Sequence, residues 1–128
     1  MNGKIESVHT DAAPKAIGPY SQGVVSERLV FVSGQIPLDP STGVLVSGGF
    51  AEQATRALAN VDAVLAAAGC TRTSVVKATV YLTDLSRFAE FNEIYASFFG
   101  EHRPARAVVG VAALPRGAQV ELEAVAVR

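Results

Sequence analysis

Two charged residues in the last quarter of the chain stand out by their neighbours. Arg106 follows Arg103-Pro104-Ala105 at the start of a strand-like run, and the residues that share its face, Val108, Gly110 and Ala112, are small and mostly apolar. A guanidinium on such a face calls for an anion, and its planar fork matches a carboxylate. The other reading is a rim residue paired with a glutamate. Glu121 alternates with Glu123, Val125 and Val127, so period two places it among valines. A carboxylate there is costly unless it is paired, or unless that face is an edge or solvated. The two strands could bring Arg106 and Glu121 to the same side of the sheet. Asn92 lies four residues after Phe88 and three before Tyr95, at the margin of an apolar helix stripe. It is either a pocket amide or a plain surface amide. Tyr20, in Gly18-Pro19-Tyr20-Ser21-Gln22-Gly23, and Ser33, in Ser33-Gly34-Gln35, set hydroxyls beside backbone that glycine exposes. Such runs line hydrogen-bonding pockets or make ordinary turns.

Other constellations are missing. There is no Gly-x-Ser-x-Gly nucleophile elbow and no phosphate-cradling Gly-x-x-x-x-Gly-Lys-Ser/Thr. Gly48-Gly49 precedes a helix without a lysine and reads as a loop-closing turn. His9 and His102 are far apart, neither with a second ligand at metal-binding spacing, so no metal site is expected. Cys70 follows a helix-stop glycine with no local histidine and reads as a packed small residue.

The elements that must position these residues can be read from periodicity. Ile5 to His9 is a short strand, and 12–19 is irregular. Gln22 to Ser26 and Leu29 to Ser33 form a β-hairpin. Residues 34–49, with two prolines and four glycines, are expected to be mostly loop. Phe50, Ala54, Leu58, Val61, Leu65 and Ala68 recur at steps of three and four, which predicts a helix ended by Gly69. Ser74 to Thr83 alternates Val76, Ala78, Val80 and Leu82 against Lys77, Thr79, Tyr81 and Thr83, a strand with two unlike faces. Asp84 and Ser86 are the candidate caps of a second helix with the stripe Phe88, Phe91, Tyr95, Phe98 and a stop at Gly100. Arg106 to Ala113 and Ala118 to Val127 are the last strands. The order β-β-β-α-β-α-β-β predicts an α+β fold, a mixed sheet with two helices on one face. The second face is too apolar for water, which predicts an oligomer.

Composition narrows the class. The 128 residues suit one domain; 49% are hydrophobic and 18% charged against a usual ~25%, which excludes a disordered tail. A net charge of −1 argues against a nucleic-acid module. One cysteine excludes an intrachain disulfide framework, no apolar run approaches a membrane span, and Met1 to Ser7 lacks a signal-peptide core. The expectation is a soluble cytoplasmic domain.

Five segments together resemble the RidA/YjgF family of reactive intermediate (enamine/imine) deaminases. They are Ala-Ile-Gly-Pro-Tyr-Ser-Gln-Gly (16–23), Val-Ser-Gly-Gln-Ile-Pro (32–37), Phe-Asn-Glu-Ile-Tyr (91–95), Pro-Ala-Arg (104–106) and Val-Glu-Leu-Glu-Ala-Val-Ala (120–126). The resemblance runs from about Lys4 to Arg128, so residues 1–128 are expected to be a single domain of this type. It implies a chorismate-mutase-like protomer and a homotrimer whose sheets form a central barrel, with active sites at the subunit interfaces. It implies hydrolysis of 2-iminobutanoate and 2-iminopropanoate, formed by pyridoxal-phosphate enzymes acting on threonine and serine, to 2-keto acids and ammonia. By the same resemblance, Arg106 is the carboxylate-binding arginine and Glu121 the acid that positions the attacking water. Tyr20, Ser33, Gly34 and Asn92 complete the substrate pocket. No metal, organic cofactor, nucleic acid or membrane is implied.

The sequence departs from that pattern in places. Val108 stands where many members carry cysteine, the segment Glu101-His102-Arg103-Pro104 is short, and Gly110 and Ala113 replace common charged residues. These changes bear on substrate range. Three rivals remain: an endoribonuclease (an activity assigned to some members of the family it resembles), a 2-keto acid-binding trimer without turnover, and a holdase-like chaperone using apolar surface.

Overall fold

The computed structural model describes residues 4–128; expectations for residues 1–3 lie outside them. Six strands form one sheet: β1 (Ile5–Val8), β2 (Gly23–Ser26), β3 (Leu29–Gln35), β4 (Val75–Leu82), β5 (Ala105–Gly110) and β6 (Val120–Val127). Two helices, α1 (Phe50–Ala67) and α2 (Phe88–Phe99), interrupt the strands in the expected order. The spatial order is β1-β2-β3-β6-β4-β5, antiparallel throughout except for the parallel pair β4–β5. The last strand in sequence is therefore central, and β5 is an edge. The α+β architecture is as the periodicity predicts.

α1 forms because its apolar residues fall on one stripe, and Ala54, Leu58, Val61 and Leu65 are all buried. Each large member contributes roughly 1.5–3 kcal/mol by leaving water. The Glu52 carboxylate reaches back to accept the Gly49 N–H at 2.8 Å, closing the first turn. That contact explains Gly48-Gly49: the helix start is occupied by its own side chain, and Gly48 has a φ of 109°. Gly69, with φ 83°, stops the helix, and Cys70 packs in the core as expected. Asp84 accepts the Ser86 N–H at 3.0 Å and opens a single 3-10 turn, Leu85–Arg87, before α2.

Both helices cover one face of the sheet. Val30 and Val32 of β3, Ala78, Val80 and Leu82 of β4, and Leu122, Ala124 and Ala126 of β6 meet them there. The other face carries Leu29, Phe31 and Val109, each still more than 40% exposed, beside Val125, Val127, Glu121 and Glu123.

Four expectations are corrected. β3 does not stop at Ser33; it continues to Gln35 through a bulge between Val32 and Gln35. A second bulge, between Val75 and Lys77, breaks the alternation of β4, so Val75 is buried while Val76 turns outward. β5 ends at Gly110 rather than Ala113, because its partner β4 ends at Leu82; Val111 still donates to the Leu82 carbonyl at 2.9 Å. β6 begins at Val120 rather than Ala118, because Pro115–Gly117 form a 3-10 turn and the Gln119 N–H is taken by the Gln53 side chain at 2.8 Å.

Candidate active site

Arg106 is the second residue of β5. The register pairs it with Ala78, so its side chain rises on the helix-covered face. Because β5 is an edge strand, the guanidinium lies beside α2 and stays half-exposed. It donates to Asn92 Oδ1 at 2.8 Å and stacks over the rings of Tyr95 (4.8 Å to the centroid) and Phe88 (5.6 Å). Among the described residues no carboxylate lies within salt-bridge distance of it. The rim-glutamate reading of Arg106 therefore gives way to an amide partner. The loop behind it is pinned: His102 Nε2 lies 2.7 Å from the Val75 carbonyl, and Arg103 donates to the carbonyls of Gly100 and His102. A pocket of about 290 Å³ opens here between Asn92, Tyr95, Ala96, Arg103, Pro104 and Arg106.

Tyr95 is the group that sequence reasoning missed. It belongs to the predicted apolar stripe, but it is a tyrosine among phenylalanines, and that was the available signal. The residue is 6% exposed, and its hydroxyl is closed off from water without a hydrogen-bond partner among the described residues. An unmet buried hydroxyl costs about 1–3 kcal/mol.

Glu121 is the second residue of β6 and lies opposite Tyr81, which places it on the open face. Its carboxylate rests against Gly34 in the β3 bulge. A Cβ at Gly34 would fall 2.0 Å from Glu121 Oε2, so only glycine leaves room for this carboxylate. Ser33 Oγ donates to the Ser21 carbonyl at 2.5 Å, and the Ile17 N–H donates to the Tyr20 hydroxyl at 3.2 Å. These bonds fold the 18–23 segment over the end of β3. Gln22 is buried and locks the preceding strap: its amide donates to the Thr10 and Pro14 carbonyls at 3.0 and 2.8 Å and accepts the Thr10 N–H at 2.7 Å. The result is a cavity of about 420 Å³ whose lining includes Lys15, Ile17, Tyr20, Ser33, Gly34 and Glu121. Lys15 is the second group that sequence reasoning passed over.

The electrostatics of this cavity favour a basic carboxylate. Burial, and then the charge of Glu123 on the same face, push the Glu121 carboxyl above the ordinary glutamate value. No hydrogen bond from a described residue reaches it, whereas Glu123 is held by the Tyr81 hydroxyl at 3.0 Å.

The six expected residues thus fall into two groups. Tyr20, Ser33, Gly34 and Glu121 share the larger cavity, and Asn92 and Arg106 share the smaller pocket. The expectation that Arg106 and Glu121 could reach the same side of the sheet is corrected. Ala78 pairs with both Arg106 and Ala124, whereas Tyr81 pairs with Glu121, so the two charges point to opposite faces. Neither histidine lines either space.

Comparison with known proteins gives this geometry a family. The human 2-iminobutanoate/2-iminopropanoate deaminase is 54% identical over 121 residues, covering 94% of this chain and 88% of that protein. The structure of Escherichia coli TdcF with bound serine matches with a TM-score of 0.92 and 46% identity, over 96% of this chain and 98% of that one. The YjgF gene product of Escherichia coli matches with a TM-score of 0.91 and 45% identity, over 96% and 98%. The family model described as Endoribonuclease L-PSP matches residues 10–128, and the chain belongs to that family, the YjgF/RidA proteins.

Proposed function

We propose that this protein hydrolyses 2-imino acids such as 2-iminobutanoate and 2-iminopropanoate to 2-keto acids and ammonia, in a homotrimer with one site at each subunit interface. The observation that carries the proposal is the split of the site. A guanidinium without an acidic partner opens on one face at the sheet edge, and a carboxylate without a donor opens on the other. Each is half of what an α-imino carboxylate needs. A ring of protomers joined head to tail can set one protomer's Arg106 pocket against the next one's Glu121 cavity, and three-fold closure would cover the half-exposed Leu29, Phe31 and Val109. The deaminase relative, and the serine bound to TdcF with its α-carboxylate, support the same substrate class.

In this mechanism Arg106 grips the substrate carboxylate through two N–H bonds, while Asn92 keeps the fork in plane. Tyr20, Ser33 and the Gly34 backbone line the opposite wall. The imine enters protonated at nitrogen; Glu121 takes a proton from water as the water oxygen bonds to C2, and the C=N pair moves to nitrogen, leaving a neutral amine. Glu121 then passes its proton to the amine of the tetrahedral adduct. The C–N bond breaks with its pair going to nitrogen, Glu121 takes the hydroxyl proton as C=O forms, and ammonia leaves; that proton then passes to water, which resets the carboxylate. A carboxyl whose basicity is raised by burial suits this task at neutral pH. No step calls for a metal or an organic cofactor.

The net charge of −1, and the absence of either histidine from both spaces, favour this activity over RNA cleavage. The test is a coupled assay in which an amino-acid oxidase generates 2-imino acids in situ. The protein should speed imine loss with equal gain of keto acid. No acceleration above the spontaneous rate, with keto acid still bound, would leave a binding trimer instead.

A further inference from the structure

We propose that the Tyr95 hydroxyl is a substrate-binding group that donates to the carboxylate held by Arg106; this rests on the imino-acid assignment above. The ring of Tyr95 is fixed by Phe91 and Phe99, at centroid distances of 5.6 and 4.7 Å, and by the Arg106 guanidinium stacked 4.8 Å from its centroid. Packing alone would be served as well by phenylalanine, as at Phe88 and Phe91 on the same stripe. The extra oxygen is buried and has no partner among the described residues, although buried tyrosines generally find one. Tyr95 lines the pocket that Arg106 and Asn92 line; its oxygen is covered in the empty pocket, so a carboxylate held by Arg106 supplies the partner once the side chains over that oxygen give way.

The surroundings fix the role of the hydroxyl. Arg106 and Arg103 both stabilise negative charge at it, but burial outweighs them and holds the phenol above its ordinary value. It therefore stays protonated and serves as a donor. A donor in the field of two guanidinium charges favours an anionic oxygen over a neutral acceptor. Arg106 already spends one N–H on Asn92, and a carboxylate has lone pairs left over after the fork is filled. The phenol can take one of them.

Tyr95→Phe isolates this hydroxyl, because the ring, its aromatic neighbours and the stacked guanidinium are retained. The variant should bind a 2-keto acid about ten-fold more weakly and raise KM for the imino acid by a similar factor. Its kcat should stay within about two-fold, and its Tm should be equal or higher, because an unmet buried oxygen has been removed. A hydroxyl with only a structural role would lower Tm and leave affinity alone, and that result overturns the proposal. So does an unchanged Kd. If the parent protein itself neither binds a 2-keto acid nor hydrolyses imines, the imino-acid assignment falls first. If the parent does both and Tyr95→Phe matches it, only the role of Tyr95 falls.

Discussion

Arg106 is held by three side chains of a single helix, whereas Glu121 is held by almost nothing except the backbone it lies against. On the arginine side Asn92 accepts a hydrogen bond and two rings stack under the guanidinium, so the cation is oriented before any ligand arrives. On the glutamate side a bulge and a missing Cβ make space, and the carboxylate is left basic and without a donor. Rigid orientation suits a group that grips a carboxylate and does not change its charge. An unmet, half-buried carboxylate suits a group that must accept and release a proton. On the proposed reading, local chemistry divides binding from proton transfer before a second protomer joins the two faces.

The largest effect should follow from emptying the oriented side. Arg106→Ala removes a bidentate charge-assisted pair from a partly desolvated site, a loss of ~2–5 kcal/mol or roughly 30- to several-thousand-fold in kcat/KM. Calorimetry should show 2-keto acid binding lost with it. Arg106→Lys keeps the charge without the fork and should stay badly impaired. A variant that turns over imines like the parent would break the division at its first half and favour the chaperone reading.

Glu121→Gln should fail differently. It keeps size and one acceptor but cannot take a proton, so kcat should drop by about 10²-fold or more while 2-keto acid affinity changes little. In the parent, the acid limb of kcat should sit above the ordinary glutamate range, because the carboxyl must be ionised to act and its titration is displaced upward. Mixing this variant with Arg106→Ala sharpens the comparison. On the proposed interfacial site, neither variant alone forms a complete site. If each site takes Arg106 from one protomer and Glu121 from its neighbour, random reassembly restores about a quarter of the sites. No recovery after verified subunit exchange would place both groups in one protomer's site and contradict the opposite-face register.

Much of this was legible in the sequence, and the remainder has definite physical causes. The α1 stripe was readable because six apolar residues keep a 3.6 period. Glu121 and Arg106 were conspicuous because each interrupts an apolar alternation. Their faces were not readable. Period two separates the two sides of a strand without saying which side is covered, and that depends on β6 pairing between β3 and β4. Gly34-Gln35 reads as the start of a loop because glycine is a turn residue, yet the bulge keeps both inside β3. The slip at Val76 is equally silent, since Val-Val carries no bulge signal. Asn92 was visible as a candidate, but its bond to Arg106 joins two elements whose packing no local pattern encodes. Tyr95 was absorbed into its stripe because an aromatic ring counts as core whatever oxygen it bears.

A smaller effect should come from Gly34→Ala. The added carbon cannot coexist with Glu121 Oε2 at 2.0 Å, so the carboxylate must swing away or the bulge must shift. Displacing a catalytic group by an ångström can cost up to about 10²-fold, so roughly ten-fold or more is expected in kcat, with the fold kept. Circular dichroism and the coupled assay check both halves. Full activity would show that the Glu121 position is not set by this contact.

The smallest effect concerns stability and asks whether the two halves touch. Burial and the Glu123 charge disfavour the Glu121 anion in the folded protein, so its folded titration lies above the ordinary, unfolded one. The stability tied to the protonated form is full below the ordinary glutamate value and is lost as pH rises through the folded value. At neutral pH the parent therefore carries a penalty that Glu121→Gln lacks. The variant should melt higher, and the gap should close as pH is lowered through the glutamate range. Protomer concentration must be held fixed, because assembly itself shifts Tm. A neighbouring protomer's Arg106 beside Glu121 would favour the anion and shrink this gap. The same comparison in an Arg106→Ala background removes that cation, and there the gap should widen. The difference between the two gaps is the coupling of the half-sites, and groups in contact typically couple by about 0.5–3 kcal/mol. Equal gaps in both backgrounds would mean that Arg106 and Glu121 never meet, and the interfacial site would have to be abandoned.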